Sequence, residues 1–530
     1  MHVDGTMYRH NVRQLSFEEF NLPFRGHLRG DNRWVILSTL IPWEMVEEIY
    51  TSQLSCDYGA PAHSARMAFG SLLIKERLRL SDEETVAQIT ENPYLQYFIG
   101  LRDFQKDAPF DPSQMVYFRR RFPAEAVDRI NEAIAAARIR EDMDKTSKEH
   151  SSDDPPPGGG SSDRSNESAQ SKEPKVKNQG KLIVDATCTP ADVAYPTDLN
   201  LLNKAREKAE KIIDTLHGAR TDRAPKPRTY RKKARKDYLA VAKAKRPGHK
   251  KIRKAIGQQL RYLRRDLGHI DTLAEQVSLS VLSPRHYRDL LVIHEVYRQQ
   301  KAMYESKTHR IDDRIISISQ PYLRPIKRGK VTAETEFGAK VSISLVRGYA
   351  FTERISWDNF NEGIDLKDII DRYHTRFGTY PESVHVDAIY RNRENRRYCR
   401  KYGIRLSGPP LGRPRTKTPE NQEEMKAVQQ LTRQDELDRI SVEGKFGQGK
   451  RRFGLGRIMA KLAGTSATVI TLTILVMNLE KLLKAALSPL LCVFFLCERL
   501  FQRQYREILT VEVPSYHHLA AFRPDQRCCC

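Results

Sequence analysis

The sequence has little cysteine and lacks the pattern of a secreted chain. Its 8 cysteines in 530 residues include no Cys-x-x-Cys pair ahead of the terminal Arg527–Cys530. So few unpaired cysteines are typical of a reducing compartment, and we expect a reduced cytosolic protein. The first residues show no basic stretch followed by an apolar core, so we expect no secretory signal. The terminal cysteines have no histidines or paired spacing beside them, and we interpret them as a tail without function.

Long hydrophobic runs are also missing. The most apolar segment, AALSPLLCVFFLC from Ala485 to Cys497, is well short of the roughly 20 residues that cross a bilayer, and Pro489 interrupts it. We predict a buried or docking helix there and no membrane partner. Apolar residues are almost absent from 144–180, which cannot bury enough surface to fold and is predicted to be a disordered linker.

Acidic residues are outnumbered. The chain has 90 Lys and Arg against 67 Asp and Glu, a formal net charge of +23. A field of this sign attracts polyanions such as nucleic acid or anionic lipid, and charge alone does not choose between them. A length of 530 residues predicts two or three domains. We place their boundaries at 1–143, 181–483 and 484–530, the last holding the apolar helix and the tail.

The first domain is predicted to be all helical. Apolar residues recur at helical spacing in SARMAFGSLLIKERLRL, and Ser81 with Glu84 forms a capping box. The later piece PSQMVYFRRRF carries Arg119 and Arg120 beside aromatic residues, as a phosphate-contacting helix would. A solvated basic face over a core stripe explains the same pattern equally well.

The second domain shows an α/β pattern. The runs KLIVDATCT and SVHVDAIY are short, apolar and rich in strand formers, and we predict that Asp185 and Asp387 end these two strands. Parallel strands present their ends at one sheet edge, so the two acids can meet in space. Between them, an insertion over about 199–310 is predicted to be helical and basic. Its densest charge includes Arg231 and Lys232, and a nucleic-acid groove explains that charge better than a solvated face does.

A third acid lies in DRISVEGKFGQGKRR. Glu443 has Arg439 four residues before it and Lys450 seven residues after it. Three carboxylates at one sheet edge would hold Mg²⁺, and two such ions clamp the attacking and leaving oxygens of a phosphodiester. Each acid alone also fits a helix cap or a solvated loop residue. The rival acids are Asp192, Asp198, Asp365, Asp368 and Asp371, and we interpret His385 as structural.

Together these pieces resemble the DDE transposases of bacterial insertion sequences. The matching segments are the helical region from Ala65 to Phe122, VDATCTPADVAYPTDLNLLNKARE, RGKVTAETEFGAKVSISLVRGYAF, VHVDAIYRNREN and the Glu443 segment. The family places its third acid in a signature of tyrosine, two residues, arginine, three residues, glutamate, six residues and lysine. Arg439, Glu443 and Lys450 match it, whereas Glu436 stands at the tyrosine position.

The resemblance implies an RNase H-like mixed sheet with flanking helices and the helical insertion after its first strand. It implies that Asp185, Asp387 and Glu443 are catalytic and bind Mg²⁺, replaceable by Mn²⁺, and that Arg439 and Lys450 contact DNA. It also implies that the helix of Glu443 continues to Lys450, although helix propensity alone ends it near the glycines after Glu443.

The expected function is to bind the terminal repeats of an element, cut phosphodiesters and join the 3′-hydroxyl ends to target DNA. No P-loop pattern is present, which agrees with an exchange of phosphodiesters that needs no stored energy. Double-stranded DNA is the expected partner, with a homodimer acting on it at the nucleoid in the cytoplasm. An inactive DNA-binding repressor or architectural protein, and a nuclease that cuts without joining, remain alternatives.

Overall fold

The structure, a computed structural model, describes residues 16–22, 26–54, 61–150, 178–222, 224–330, 333–409 and 422–509. It divides into two compact units, Met1–Leu479 and Glu480–Cys530. The predicted linker over 144–180 begins as helix up to residue 150, and its residues 151–177 lie outside the described residues. The terminal cysteines also lie outside them.

The N-terminal part is helical, as predicted. Ser81 and Glu84 form the expected capping box, and Asn92 caps the helix that starts at Pro93. Aromatic side chains fill the interior, and Phe69, Phe98 and other rings are fully buried. The helices are α1 (Arg33–Leu40), α2 (Trp43–Thr51), α3 (Ala65–Leu78), α4 (Asp82–Glu91), α5 (Pro93–Phe98), α6 (Gln114–Arg121) and α7 (Ala124–His150).

A mixed sheet follows, so the α/β prediction is confirmed at that level. In the part of the chain that the structure describes it has six strands, in the order β2-β3-β1-β5-β6, with β4 paired to β3. The pairs β1–β5 and β5–β6 are parallel, and the pairs of β3 are antiparallel. The strands are β1 (Lys181–Pro190), β2 (Arg324–Lys330), β3 (Ala333–Val346), β4 (Tyr349–Ser356), β5 (Ser383–His385) and β6 (Arg405–Leu406).

The turn between β3 and β4 explains why that hairpin forms where it does. Arg347 and Gly348 both have positive φ, at 48° and 80°. Two left-handed residues in a row match the right-handed twist of the flanking strands. The long strand β3 is therefore held against β4 on one side and β1 on the other.

One strand boundary differs from the prediction. Asp185 does not end β1, which continues for five more residues to Pro190. The parallel partner β5 stops at His385, but β3 pairs with β1 as far as Pro190 and keeps its backbone hydrogen-bonded. The run KLIVDATCT by itself does not indicate that β1 pairs with a long antiparallel strand.

The insertion is helical, as predicted, and has its own core. The predicted stripe is confirmed, since Leu260, Leu263 and Leu267 are buried against other helices of the insertion. Ile252 and Ile256 are partly buried beside them. The helices are α8 (Asp198–Gly218), α9 (Arg231–Ala242), α10 (His249–Ala274) and α11 (Pro284–Ser306).

The remaining helices are α12 (Leu366–Phe377), α13 (Arg393–Lys401), α14 (Gln422–Arg452) and α15 (Ala463–Leu509). The helix of Glu443 therefore continues past its glycines, as the family resemblance implied and propensity did not. Gly449 is closely packed, because a Cβ there would come within 2.7 Å of the Leu455 side chain and would displace it. Tertiary contact overrides the weak helix propensity of glycine at this position.

The last helix begins 21 residues before 484, where the C-terminal segment is predicted to start. That domain boundary stays a prediction. Its first half mixes threonines with apolar residues, and the threonine hydroxyls bond to carbonyls of the preceding turn, as Thr471 does to Ala467 at 3.1 Å. Such back-bonding lets hydroxyls be buried within a helix. The stretch Ala463–Leu487 is long and apolar enough to cross a membrane, but 83% of its most apolar window is buried, as in the core helix of a folded domain.

Candidate active site

The parallel pairing of β1 with β5 places Asp185 and Asp387 side by side at the same height along the two stretches of chain. Ile183 lies opposite His385 in this parallel pair, so two residues further on Asp185 comes level with Asp387. Asp387 follows the end of β5 and caps a 3₁₀ turn over Ala388–Tyr390. The prediction that the two strands are neighbours is confirmed. The carboxylate of Asp387 is exposed, whereas Asp185 is half-buried within its longer strand.

Helix α14 crosses these strands and is fastened to them by ion pairs. Arg405 on β6 donates two hydrogen bonds of 2.8 Å to Asp435, which is buried. Lys181 at the start of β1 pairs with Asp438 at 2.8 Å. These contacts fix both the rotation and the register of the helix over the sheet, and we name Asp435, Asp438, Arg405 and Lys181 the helix clamp.

His385 lies under the clamp and is fully buried. Its Nε2 is 2.9 Å from the Ser383 hydroxyl, and its Nδ1 is 3.5 Å from Asp435. Burial lowers the pKa of His385, and the nearby carboxylates of Asp435 and Asp438 oppose that shift. The interpretation of this residue as structural agrees with these contacts.

One and two turns beyond Asp435, α14 presents the signature residues to the strand edge. The Arg439 guanidinium donates to Asp387 at 3.1 Å and to Glu443 at 3.3 Å. Asp435, Arg439 and Glu443 are spaced four residues apart and share one helix face. The clamp at Asp435 therefore sets where Glu443 stands relative to Asp387.

The acids line one open cleft of about 890 Å³. Burial, with like charge from Glu362 and Asp387, raises the pKa of Asp185 to about 6, and Arg439 opposes the shift. A carboxyl with a raised pKa in a cleft is typical of functional sites. The charged residues of the lining are Asp185, Lys340, Glu362, Asp387, Arg439, Glu443 and Lys450.

The donor set suits a divalent cation, although the ligands are not assembled. Asp185, Asp387 and Glu443 offer hard carboxylate oxygens, which Mg²⁺ prefers. Among the described residues no three His, Cys, Asp or Glu side chains are close enough to ligate one ion. Arg439 accounts for part of this, because its guanidinium bridges two of the three acids. The residues fit the ion in chemistry, and one oxygen each of Asp387 and Glu443 is bonded to Arg439.

Two of the residues predicted to contact DNA form ion pairs within the protein. Arg119 donates to both oxygens of Asp82, at 2.8 and 2.6 Å, and its side chain is only 12% exposed. Arg231 donates to Asp214 at 2.7 and 3.1 Å. Their neighbours Arg120 and Lys232 are exposed on the helix surface. The DNA-contact role of all four residues stays a prediction.

The rival acids do not line the cleft. Asp192 pairs with Lys461 at 2.7 Å and Asp198 pairs with Arg314. Asp365, Asp368 and Asp371 stand beside or on α12, where Asp365 pairs with Arg354 and Asp368 is exposed. They are structural or solvated acids.

Sequence reasoning missed Glu362 and Lys340, which both line the cleft and pair at 2.7 Å. Glu362 lies in a loop with several other acids, and no spacing or strand pattern distinguishes it. Lys340 faces into the cleft only because β3 pairs with β1, where Lys340 lies opposite Cys188. Nothing local in the sequence encodes that pairing.

Comparison with known proteins finds two family models that match parts of the chain. Residues 384–480, which include Asp387 and Glu443, match the family model described as a transposase DDE domain. Residues 23–121 match a second model, a transposase domain known as DUF772. The two matches support a DDE transposase of insertion-sequence type.

The helical insertion and Asp185 lie outside both matched regions. A stretch of 171 residues is 28% identical to the uncharacterized protein ORF8 in the nfe locus of Rhizobium meliloti, covering 32% of this chain and 68% of that protein. No solved structure gives a significant match.

Proposed function

We propose that the chain is an active transposase with an RNase H-like catalytic domain, which binds the ends of its element, cuts phosphodiesters and joins the 3′-hydroxyl ends to target DNA. The observation that carries the proposal is the convergence of Asp185, Asp387 and Glu443 on one cleft, with Arg439 and Lys450 on the same walls. Cations beside paired acids let a phosphodiester approach carboxylates that would otherwise repel it.

In this proposal Asp185, Asp387 and Glu443 hold the catalytic Mg²⁺. When bound, a divalent cation lowers the pKa of an attacking water or hydroxyl and stabilises the leaving oxygen. Arg439, which bonds to Asp387 and Glu443, would be placed to donate to a non-bridging phosphate oxygen of DNA in the cleft. Lys450, two turns from Glu443 along α14, acts as a second phosphate contact.

The insertion is proposed to hold the DNA beside the cleft. Its helix α9 exposes a row of cations, Lys232, Lys233, Arg235 and Lys236. A second cavity of about 800 Å³ lies between α8, α9 and residues 192–196, and Lys204, Lys211, Lys232 and Arg235 line it. Phosphate contacts of this kind fix the path of DNA and carry little sequence information.

The test uses purified full-length protein with labelled fragments of the DNA that flanks its coding sequence. With Mg²⁺ or Mn²⁺, we expect nicked or cut end fragments and larger products from joining to an unlabelled plasmid, both abolished by a chelator. Binding without cutting in either metal would contradict the proposal. Cutting without larger products would favour the nuclease alternative.

One observation favours the inactive DNA-binding alternative. Arg439 forms ion pairs with both Asp387 and Glu443, so two acids are neutralised without a metal. If that arrangement is permanent, Mn²⁺ titrated into the protein should show no binding above background, with or without DNA. Saturable Mn²⁺ binding that Glu443→Gln weakens would reject this alternative.

A homodimer on DNA and a location at the nucleoid are part of the same proposal. Joining two ends of one element to one target is most simply done by two copies of the active site. Light scattering of the protein with an end duplex should give the mass of two chains and two duplexes. A mass of one chain on one duplex at saturating protein would contradict it.

A further inference from the structure

The cleft contains a fourth carboxylate, Glu362, which lies on a loop held in place by local hydrogen bonds. Glu362 starts a 3₁₀ turn over Glu362–Ile364, between β4 and α12. The Asn361 side chain caps this turn by accepting from the Gly363 N–H at 3.1 Å. A capped turn fixes the direction of its first side chain far better than an open loop does.

This turn is docked on the turn that follows Asp387. A Cβ on Gly363 would come within 2.4 Å of the Ile389 carbonyl oxygen, so only glycine permits the approach. The Gly363 carbonyl accepts from the side chains of Asn392 at 3.2 Å and Asn395 at 2.6 Å. The position of Glu362 is therefore tied to that of Asp387.

Two side chains show that Glu362 belongs to the cleft. Lys340 holds its carboxylate at 2.7 Å, and both side chains are largely buried. The hydroxyl of Tyr390, a residue without exposed surface, is buried where the charges of Glu362 and Asp185 act on it. Within the described residues this hydroxyl makes no hydrogen bond of normal geometry. This hydroxyl lies close enough to Glu362 and Ser342 to interact with both, so it adds a buried polar atom beside Glu362 to which the water of a bound ion could bond.

We propose that Glu362 is a fourth metal-binding carboxylate of the cleft, acting beside Asp185, and that Lys340 balances its charge when no ion is bound. The inference rests on the proposed function. The carboxylates of Glu362 and Asp185 supply hard oxygen ligands for a hydrated Mg²⁺, and the phenol of Tyr390 can bond to one of its waters. The three-acid pattern of the family does not include this residue.

The experiment measures Mn²⁺ binding to full-length protein without DNA, by the electron paramagnetic resonance signal of free Mn²⁺. Glu362→Gln should weaken binding roughly 10- to 100-fold, the range seen when groups around a metal are changed. The control is Glu394→Gln, an exposed acid on α13 that should leave binding unchanged. Far-UV circular dichroism and the melting temperature verify that each variant folds.

A second variant separates metal binding from a structural ion pair. Lys340→Met removes a cation from the cleft and frees Glu362, so it should bind Mn²⁺ as tightly as the parent or more tightly. Equal weakening by Glu362→Gln and Lys340→Met would show a merely structural pair and overturn the inference. Unchanged binding in Glu362→Gln, while Glu443→Gln loses Mn²⁺, would also overturn it and leave the proposed function standing. No Mn²⁺ binding in the parent protein would refute both.

Discussion

At the scale of single residues, the cleft is a balance of charges rather than a bare cluster of acids. Arg439 bridges Asp387 and Glu443, and Lys340 holds Glu362. Among the residues that the structure describes no cation is bonded to Asp185, and burial raises its pKa to about 6. Asp185, the acid that lies within the sheet, is therefore the one whose negative charge is least balanced by a bonded cation.

Glu443→Gln keeps the shape of the side chain and removes its charge. Cutting should fall by more than about 100-fold, because a metal ligand is lost, while DNA affinity stays within about twofold. Arg439→Ala and Lys450→Ala should instead weaken the DNA complex and retain partial cutting at high protein concentration. Gel assays of binding and cutting on the same end duplex measure both. Cutting at the parent rate by Glu443→Gln would mean that this acid is structural.

A buried acid of the insertion gives a pH prediction. Burial, with like charge from Glu210, raises the pKa of Asp266 to about 8, against opposing Arg206, Arg265 and Arg231. The folded state then binds a proton that the unfolded chain releases near pH 4. Stability from this group is complete below pH 4 and is lost as the pH rises to about 8, at up to about 1.4 kcal/mol per pH unit.

Asp266→Asn cannot ionise, so its free energy of unfolding should fall less steeply between pH 5 and pH 8. Urea titrations at four pH values measure the slope of each protein. Exposed Asp368→Asn is the control and should keep the parent slope. Identical slopes for Asp266→Asn and the parent would show that Asp266 is ionised in the folded protein.

At the scale of elements, α14 connects the sheet to the chemistry. Its clamp residues Asp435 and Asp438 pair with Arg405 on β6 and Lys181 on β1. Four residues beyond Asp435 comes Arg439, and four further comes Glu443. A slip of one helical turn, about 5.4 Å, would take Glu443 away from Asp387.

Asp435→Asn should therefore reduce cutting while DNA affinity changes little, because the clamp loses its charge and the groove keeps its cations. We expect a loss of roughly 10- to 100-fold in cutting, as for residues that support a metal site. The double variant Arg405→Asp/Asp435→Arg restores a pair with reversed charges and should recover part of the rate. If the double variant is no better than Asp435→Asn, the ion pair does not position the helix.

The basic face of α9 gives a second prediction about a single element. Replacing the exposed Lys232, Lys233 and Lys236 by Gln should weaken binding to all DNA sequences alike. The slope of log K against log salt should become shallower by up to about 0.9 per lost contact. Replacing Arg231, which Asp214 holds, should change the slope less. Equal salt slopes for the triple variant and the parent would rule out contact between α9 and DNA.

At the scale of the compact unit Met1–Leu479, the N-terminal helices and the sheet are joined by buried polar contacts. Arg376 on α12 pairs with Glu132 of α7 at 2.7 Å and with Glu353 of β4 at 2.6 Å. Asn131 of α7 donates to the Ala350 carbonyl at 3.1 Å. The predicted boundary at 143 therefore falls within α7, a helix that is packed on the sheet.

Arg376→Ala should destabilise the protein by about 3 kcal/mol, because buried Glu353 loses one cation and keeps its pair with the half-exposed Arg372. Both regions should then unfold at lower denaturant concentration in one shared transition, since the pair joins them. In a Trp357→Phe background, tryptophan fluorescence reports the N-terminal helices through Trp34 and Trp43, and circular dichroism reports the whole chain. Two separate transitions in the parent protein would show that the two regions fold independently.

The sequence by itself determined the features that depend on local pattern. Apolar spacing gave the helices of the insertion, the capping box at Ser81 marked the start of α4, and β-branched runs marked β1 and β5. The acids of the site and the continuation of α14 followed from the family resemblance. These signals need only a few neighbouring residues, so they are readable without the fold.

Tertiary structure decided what depends on partners distant along the chain. The extension of β1 past Asp185 requires β3, the bridge from Arg439 to Asp387 requires the helix clamp, and the capture of Arg119 requires Asp82. Glu362 enters the cleft because Gly363 docks on the turn after Asp387. Ion pairs and strand registers are set by contacts between elements, and local periodicity carries no information about which element will lie opposite.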